Sequence, residues 1–152
     1  MNQAQLNRSL YKRQSMKCGE CGHIRWKTPH KLSGVHARGL IQCAEAYRRL
    51  GRPVTRDDMD LERNENGNFA ALRWWKLIEA HPGNAWSVTE DGWAFLRHEK
   101  WVDSHVWTID GERVAGDPNR ISIRSVLSEE AWQRAEYIAR RVPVVERGAL
   151  VI

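Results

Sequence analysis

An α+β fold is predicted by three features of this sequence. Apolar residues recur at helical spacing in several segments that begin at a capping residue. Between them lie short stretches broken by Gly-containing turn pairs, the mark of β-hairpins. Eight tryptophans in 152 residues give a chain of one-domain length, or of two small domains sharing a core, a large area to bury.

Taken in order, residues 1–16 read as a basic arm, with Arg8, Lys12 and Arg13 and no acid. Residues 17–27 read as a hairpin turning at "CGECG". Ser33 is a plausible N-cap and Gly51, ahead of Pro53, a plausible stop for a first helix. Its apolar stripe is Leu40, Cys43, Ala44, Tyr47 and Leu50. Thr55 followed by "RDDMDLER" predicts a short second helix with acids in its first turn. Phe69 and Leu72 mark one face of a third helix beginning near Asn66. "LIEAHPGNAWSV" predicts a hairpin around Pro-Gly-Asn. Thr89 caps a fourth helix with Trp93, Phe95 and Leu96 on its apolar side. "SHVWTIDGERVAG" is a second such hairpin, because Asp-Gly favours a type I′ turn. "NRISIR" adds a candidate strand, and Ser128 caps a last helix with Trp132, Ala135, Ile138 and Val142 on one face.

No stretch approaches the roughly 18 apolar residues of a membrane span. The first residues lack the apolar core of a secretory signal. Three cysteines, an odd number, argue against a disulfide framework, so a reducing, cytoplasmic setting is expected. The net charge of +5 is uneven. Residues 1–60 hold 12 Lys/Arg against 5 Asp/Glu, and residues 61–152 hold 12 against 14. A basic front end suits an acidic partner, nucleic acid above all.

"KCGECGHIRWKTPHKLSGVH" holds two cysteines and three histidines. CxxC around a Gly-containing turn aims two thiolates at one point, as in a zinc knuckle. Structural zinc takes four ligands, and His23, His30, His36 and Cys43 are the candidates for the other half. His36 and Cys43 are seven residues apart on one helix, roughly 10.5 Å along its axis, so they do not both bind. Cys18, Cys21, His30 and His36 are therefore the preferred Zn2+ ligands. Their order resembles two-cysteine, two-histidine fingers, with a shorter central spacer. A metal-free hairpin held by Trp26 and a redox pair are the other readings. No βαβ unit supports the redox one, and no general base can be named for a metal-dependent nuclease, so no enzyme activity is expected.

The stretch "LRWWKLIEAHPGNAWSVTEDGWAFL", Leu72 to Leu96, resembles the winged-helix pattern of small bacterial and archaeal regulators. Lys76-Leu77-Ile78-Glu79 matches the exit of the recognition helix, with Lys where Gly is usual. Trp86-Ser87-Val88-Thr89 matches the second wing strand, and Gly92 the glycine after it. The layout as a whole resembles uncharacterised phage and prophage proteins, a likeness that brings no activity with it. The implied architecture is a winged-helix core with an N-terminal zinc-knuckle hairpin, an additional hairpin and a C-terminal helix. The corresponding regions are an arm at 1–16, the knuckle at 17–36, the winged helix at 33–115 and an extension at 116–152. Leu77, Ile78, Trp86 and Val88 would be core or wing base.

In such a fold the third helix would enter the major groove and the wing tip would touch backbone or minor groove. Asn64, Asn66, Asn68 and Arg73, with His81 and Asn84 at the tip, are the candidate contacts. Glu62, Glu65 and Glu79 flank that surface and repel phosphate. Positive charge lies instead on Lys12, Arg13, Lys17, Arg25, Lys27, Lys31 and Arg38. The expectation is a small DNA-binding regulatory or accessory protein of a phage or mobile element. The alternative is an interaction or inhibitor module on the same scaffold, aimed at a host protein.

Overall fold

The computed structural model describes residues 11–141, which form two compact units, 11–31 with 103–119 and 32–102 with 120–141. The mixed α+β class is as expected, with four α-helices and antiparallel sheets among the described residues.

The first unit is a four-stranded antiparallel sheet. Its strands are β1 (Gln14–Lys17), β2 (Ile24–Lys31), β5 (His105–Ile109) and β6 (Glu112–Gly116), in the order β1-β2-β5-β6. The two central hairpin residues between β5 and β6, Asp110 and Gly111, have φ of 52° and 80°, the mirror-image turn that matches the twist of paired strands. The register is offset. β1 pairs with the outer half of β2, Ile24–Lys27, while β5 pairs with the inner half, Lys27–Lys31. Residues 14–17 and 24–26 are therefore a two-stranded ribbon, and all of them are exposed. On the inner half, Val106 and Thr108 are buried. The 105–116 hairpin, expected within the 33–115 region, is built into this sheet, because the chain passes between units near 31, 102 and 119.

The second unit is built on α1 (Gly34–Leu50). Ser33 precedes it, its N–H donating to His36 Nδ1 at 3.1 Å, and Gly51 closes it at φ 69°. Leu40, Cys43 and Ala44 are buried, as the stripe predicted. The expected second helix is instead one 3-10 turn, Arg56–Asp58. Asp58 Oδ2 accepts from Thr55 N at 2.9 Å and from Arg52 at 3.0 Å. These bonds close a single turn, and Met59 is extended.

The third helix starts earlier than expected and is shorter. α2 is Arg63–Asn68, and Phe69–Trp75 continues as 3-10 helix. Lys76 ends it in the left-handed region at φ 60°, ψ 29°. Phe69 and Leu72 are buried, with Phe69 edge-on to Trp86 at 5.6 Å. The hairpin of β3 (Ile78–His81) and β4 (Ala85–Val88) follows as predicted. Thr89 then caps α3 (Glu90–Leu96), accepting from Gly92 N at 3.0 Å and donating to Lys76 O at 2.6 Å. Trp93, Phe95 and Leu96 are buried.

"NRISIR" supplies only a two-residue strand, Arg120–Ile121, before a 3-10 turn. Ser128 caps α4 (Glu129–Arg140), whose Ala135 and Ile138 are buried while Trp132 is half-buried. Val142, most of the proposed arm including Arg8, and the last residues lie outside the described residues. No helix among the described residues is long and apolar enough to cross a membrane.

Candidate nucleic-acid interface and thiol turn

The ribbon gathers the basic residues of the front end. In antiparallel pairs, residues opposite each other share a face. Lys17 therefore lies with Ser15, Ile24 and Trp26 on one face, while Arg25 and Lys27 lie with Gln14 and Met16 on the other. The Arg13 guanidinium sits 4.1 Å from the centre of the Trp26 ring, and Lys27 Nζ sits 5.3 Å from that of Trp107. A cation held over an aromatic face is oriented but still charged toward solvent. Arg25 pairs with Asp110 at 2.7 Å, both side chains at least half exposed, so this pair adds little stability and opens readily. Lys12, Lys17 and Lys31 are exposed.

Most of the predicted readers in the second unit bond within the chain. Asn66 accepts from Arg56 through both its backbone and side-chain oxygens, at 2.5 and 2.7 Å. Asn68 Nδ2 donates to Asn64 O at 2.7 Å. Arg73 donates to Ala70 O at 3.0 Å and lies over Trp74. Arg38 pairs with the buried Glu65 at 3.3 Å. His81 Nε2 meets Ser87 Oγ at 2.7 Å. Asn84 is exposed at the wing tip with φ 56°. Glu65, expected as a repelling surface charge, is instead a buried anchor that also accepts from Glu62 N.

The thiol turn lies at the far end of the ribbon. Cys18 N–H donates to His23 O at 2.9 Å and Gly22 N–H to Cys18 O at 3.0 Å. Gly22 takes φ 70° there. Hydrogen bonds from the backbone N–H groups of Cys21 and then Glu20 hold the Cys18 thiol below the ordinary thiol range; the Cys21 thiol and the Arg25 charge act the same way. The two cysteines are thus brought together, as the knuckle reading required.

The two histidines expected to complete the site have other roles in the described structure. His30 is a β2 residue with Nε2 2.9 Å from Thr108 Oγ1, and burial lowers its pKa. His36 is buried in the first turn of α1, where its Nδ1 receives the Ser33 N–H. Cys43 is fully buried, its thiol pushed up to about 12. Among the described residues, no group of three or more His, Cys, Asp or Glu is placed to hold a metal ion.

One cluster was not foreseen. Tyr11 stacks flat on His105 at 3.6 Å, and Asn119 Nδ2 donates to its hydroxyl at 3.4 Å. His105 Nδ1 lies 2.9 Å from Ser104 Oγ and 3.9 Å from the buried Asp117. Bonding to Asp117 raises the Tyr11 pKa, and desolvation lowers that of His105. No local spacing signals a contact between residues 11 and 105. No family model matches the chain, and no curated protein or solved structure is significantly similar to it.

Proposed function

We propose that the protein binds nucleic acid, duplex DNA first, through the basic ribbon of its N-terminal sheet, as a regulatory or accessory protein of a phage or mobile element. The observation that carries this reading is the ribbon itself. Residues 14–17 and 24–26 expose both faces, with Arg13 over Trp26 and Lys27 over Trp107 beside them. A two-stranded β-ribbon fits the major groove. Lysine and arginine supply phosphate contacts, and an exposed tryptophan supplies a stacking surface.

The second unit is read as a winged helix serving as the body to which the ribbon is attached. Its helix–hairpin–helix path from Leu72 to Leu96, the left-handed Lys76 where the resemblance has glycine, and the close packing of Gly92 support that reading. Cys18 and Cys21 are read as zinc ligands that stiffen the ribbon tip, within a reducing cytoplasm.

The test is fluorescence anisotropy of a labelled duplex at two salt concentrations. About five phosphate contacts predict roughly a 500-fold loss of affinity between 50 and 200 mM salt. Binding no tighter or steeper than that of a charge-matched control protein refutes the reading. A second reading, in which the winged-helix scaffold docks a host protein, draws on the exposed Glu62 and Glu79. It predicts a stoichiometric partner that survives nuclease treatment and is lost in Glu79→Lys.

A further inference from the structure

The CxxC turn has two ligands where a structural metal needs four. Cys18 and Cys21 converge at the tip of the ribbon, and among the described residues no third ligand joins them. His23 neighbours the pair in sequence and its carbonyl accepts from Cys18 N, but it is not grouped with the two thiols as a third ligand. Cys43 is fully buried, and the sequence outside the described residues has no cysteine or histidine. What the tip lacks is therefore not supplied by the described residues of the same chain.

We propose that Cys18 and Cys21 form half of a tetrathiolate site for a zinc-class divalent cation, completed by the same turn of a second copy of this chain. This rests on reading the turn as a metal knuckle. Three observations point to a second copy. The pair is at the tip, with Cys21 exposed and Cys18 half-buried. Just behind it, Ile24 is 53% exposed on the face it shares with Trp26, itself 42% exposed, apolar surface that a twofold contact through that face would cover. Lys17 adjoins Cys18 at the tip. Four thiols and one M2+ give a complex of charge −2 and four released protons, and the Lys17 of each copy offsets that charge. A twofold arrangement of this kind is self-complementary and closed.

The experiment uses the full chain, reduced, titrated with Cd2+ while thiolate-to-metal charge-transfer absorbance and light-scattering mass are followed. The expected result is saturation at one Cd2+ per two chains, a doubling of mass, and reversal by chelator. Zn2+ should displace Cd2+ without loss of the doubled mass. Cys18→Ser and Cys21→Ser should each abolish metal-dependent doubling with unchanged circular dichroism, and His23→Ala should leave it intact. Saturation at one metal per monomeric chain overturns the shared site and leaves the knuckle reading standing. No charge-transfer band overturns both. Doubling without metal, or unaffected by the serine variants, overturns the shared site.

Discussion

Replacing Gly92 with alanine tests how the wing is fastened to the helix that follows it. A Cβ at this position would lie 2.3 Å from Leu77 O and 2.7 Å from Val88 Cγ1. The first contact is to backbone at the foot of β3, so no side-chain rotation relieves it. Either α3 moves away from the hairpin or the Leu77 peptide shifts, and overpacking of this kind costs about 1–3 kcal/mol. Alanine would otherwise favour the helix by up to about 1 kcal/mol. The clash dominates, and a net loss of about 1 kcal/mol lowers Tm by about 2–4 °C for a chain of this size. Gly67→Ala is the control. Gly67 lies in α2, and nothing within 4 Å would meet its Cβ. That variant should gain about 0.5–1 kcal/mol. Urea denaturation followed by tryptophan fluorescence measures both. Equal midpoints for Gly92→Ala and wild type would refute the close approach of α3 to β3.

Lys76→Gly should stabilise by about 1 kcal/mol in the same assay, because Lys76 holds φ 60° at a helix exit where glycine carries no Cβ penalty. With a thiol reagent near neutral pH, two cysteines should react quickly and the third only on unfolding, since burial pushes the Cys43 thiol up to about 12. Burial lowers the folded-state pKa of both His30 and His105. The unfolded chain then takes up protons first as pH falls, so stability is full above about pH 6.5 and declines below it. Urea midpoints at pH 7.5 and 5.5 should show that order, and a higher midpoint at the lower pH would contradict it. Asp58 is held at about 2 by Arg52 and the Thr55 N–H, so Asp58→Asn should destabilise near neutral pH and converge with wild type in strong acid.

What was legible in the sequence is what local chemistry decides. Ser33, Gly51, Thr89, Ser128 and the Asp110-Gly111 pair mark ends and turns through bonds within a few residues, and each does so in the structure. Leu40, Cys43 and Ala44 of α1 and Trp93, Phe95 and Leu96 of α3 are buried as their spacing required, while Tyr47 and Leu50 are half-buried. Long-range pairing was not legible. Nothing in "IRWKTPHK" says that its inner half pairs with a strand nearly eighty residues on. Nor does "TRDDMDLER" say that Asp58 turns back to bond Thr55 rather than continuing a helix. The asparagines of α2 have the right chemistry for base edges, but Arg56 and the backbone of α2 engage two of them. The closeness of Cys18 and Cys21 was legible in their spacing, whereas the places of His30 on β2 and His36 in α1 depend on pairing and packing that spacing does not carry.

The most direct test of ribbon-borne binding is the slope of log affinity against log salt for two charge-matched variants. Each phosphate-contacting lysine contributes about one unit to that slope. Lys17→Gln with Lys27→Gln should flatten it by about two units. Arg134→Gln with Arg140→Gln, which removes two exposed cations from α4, should leave it unchanged. A flattening shared equally by both variants, or confined to the helix pair, would contradict the assignment of the ribbon.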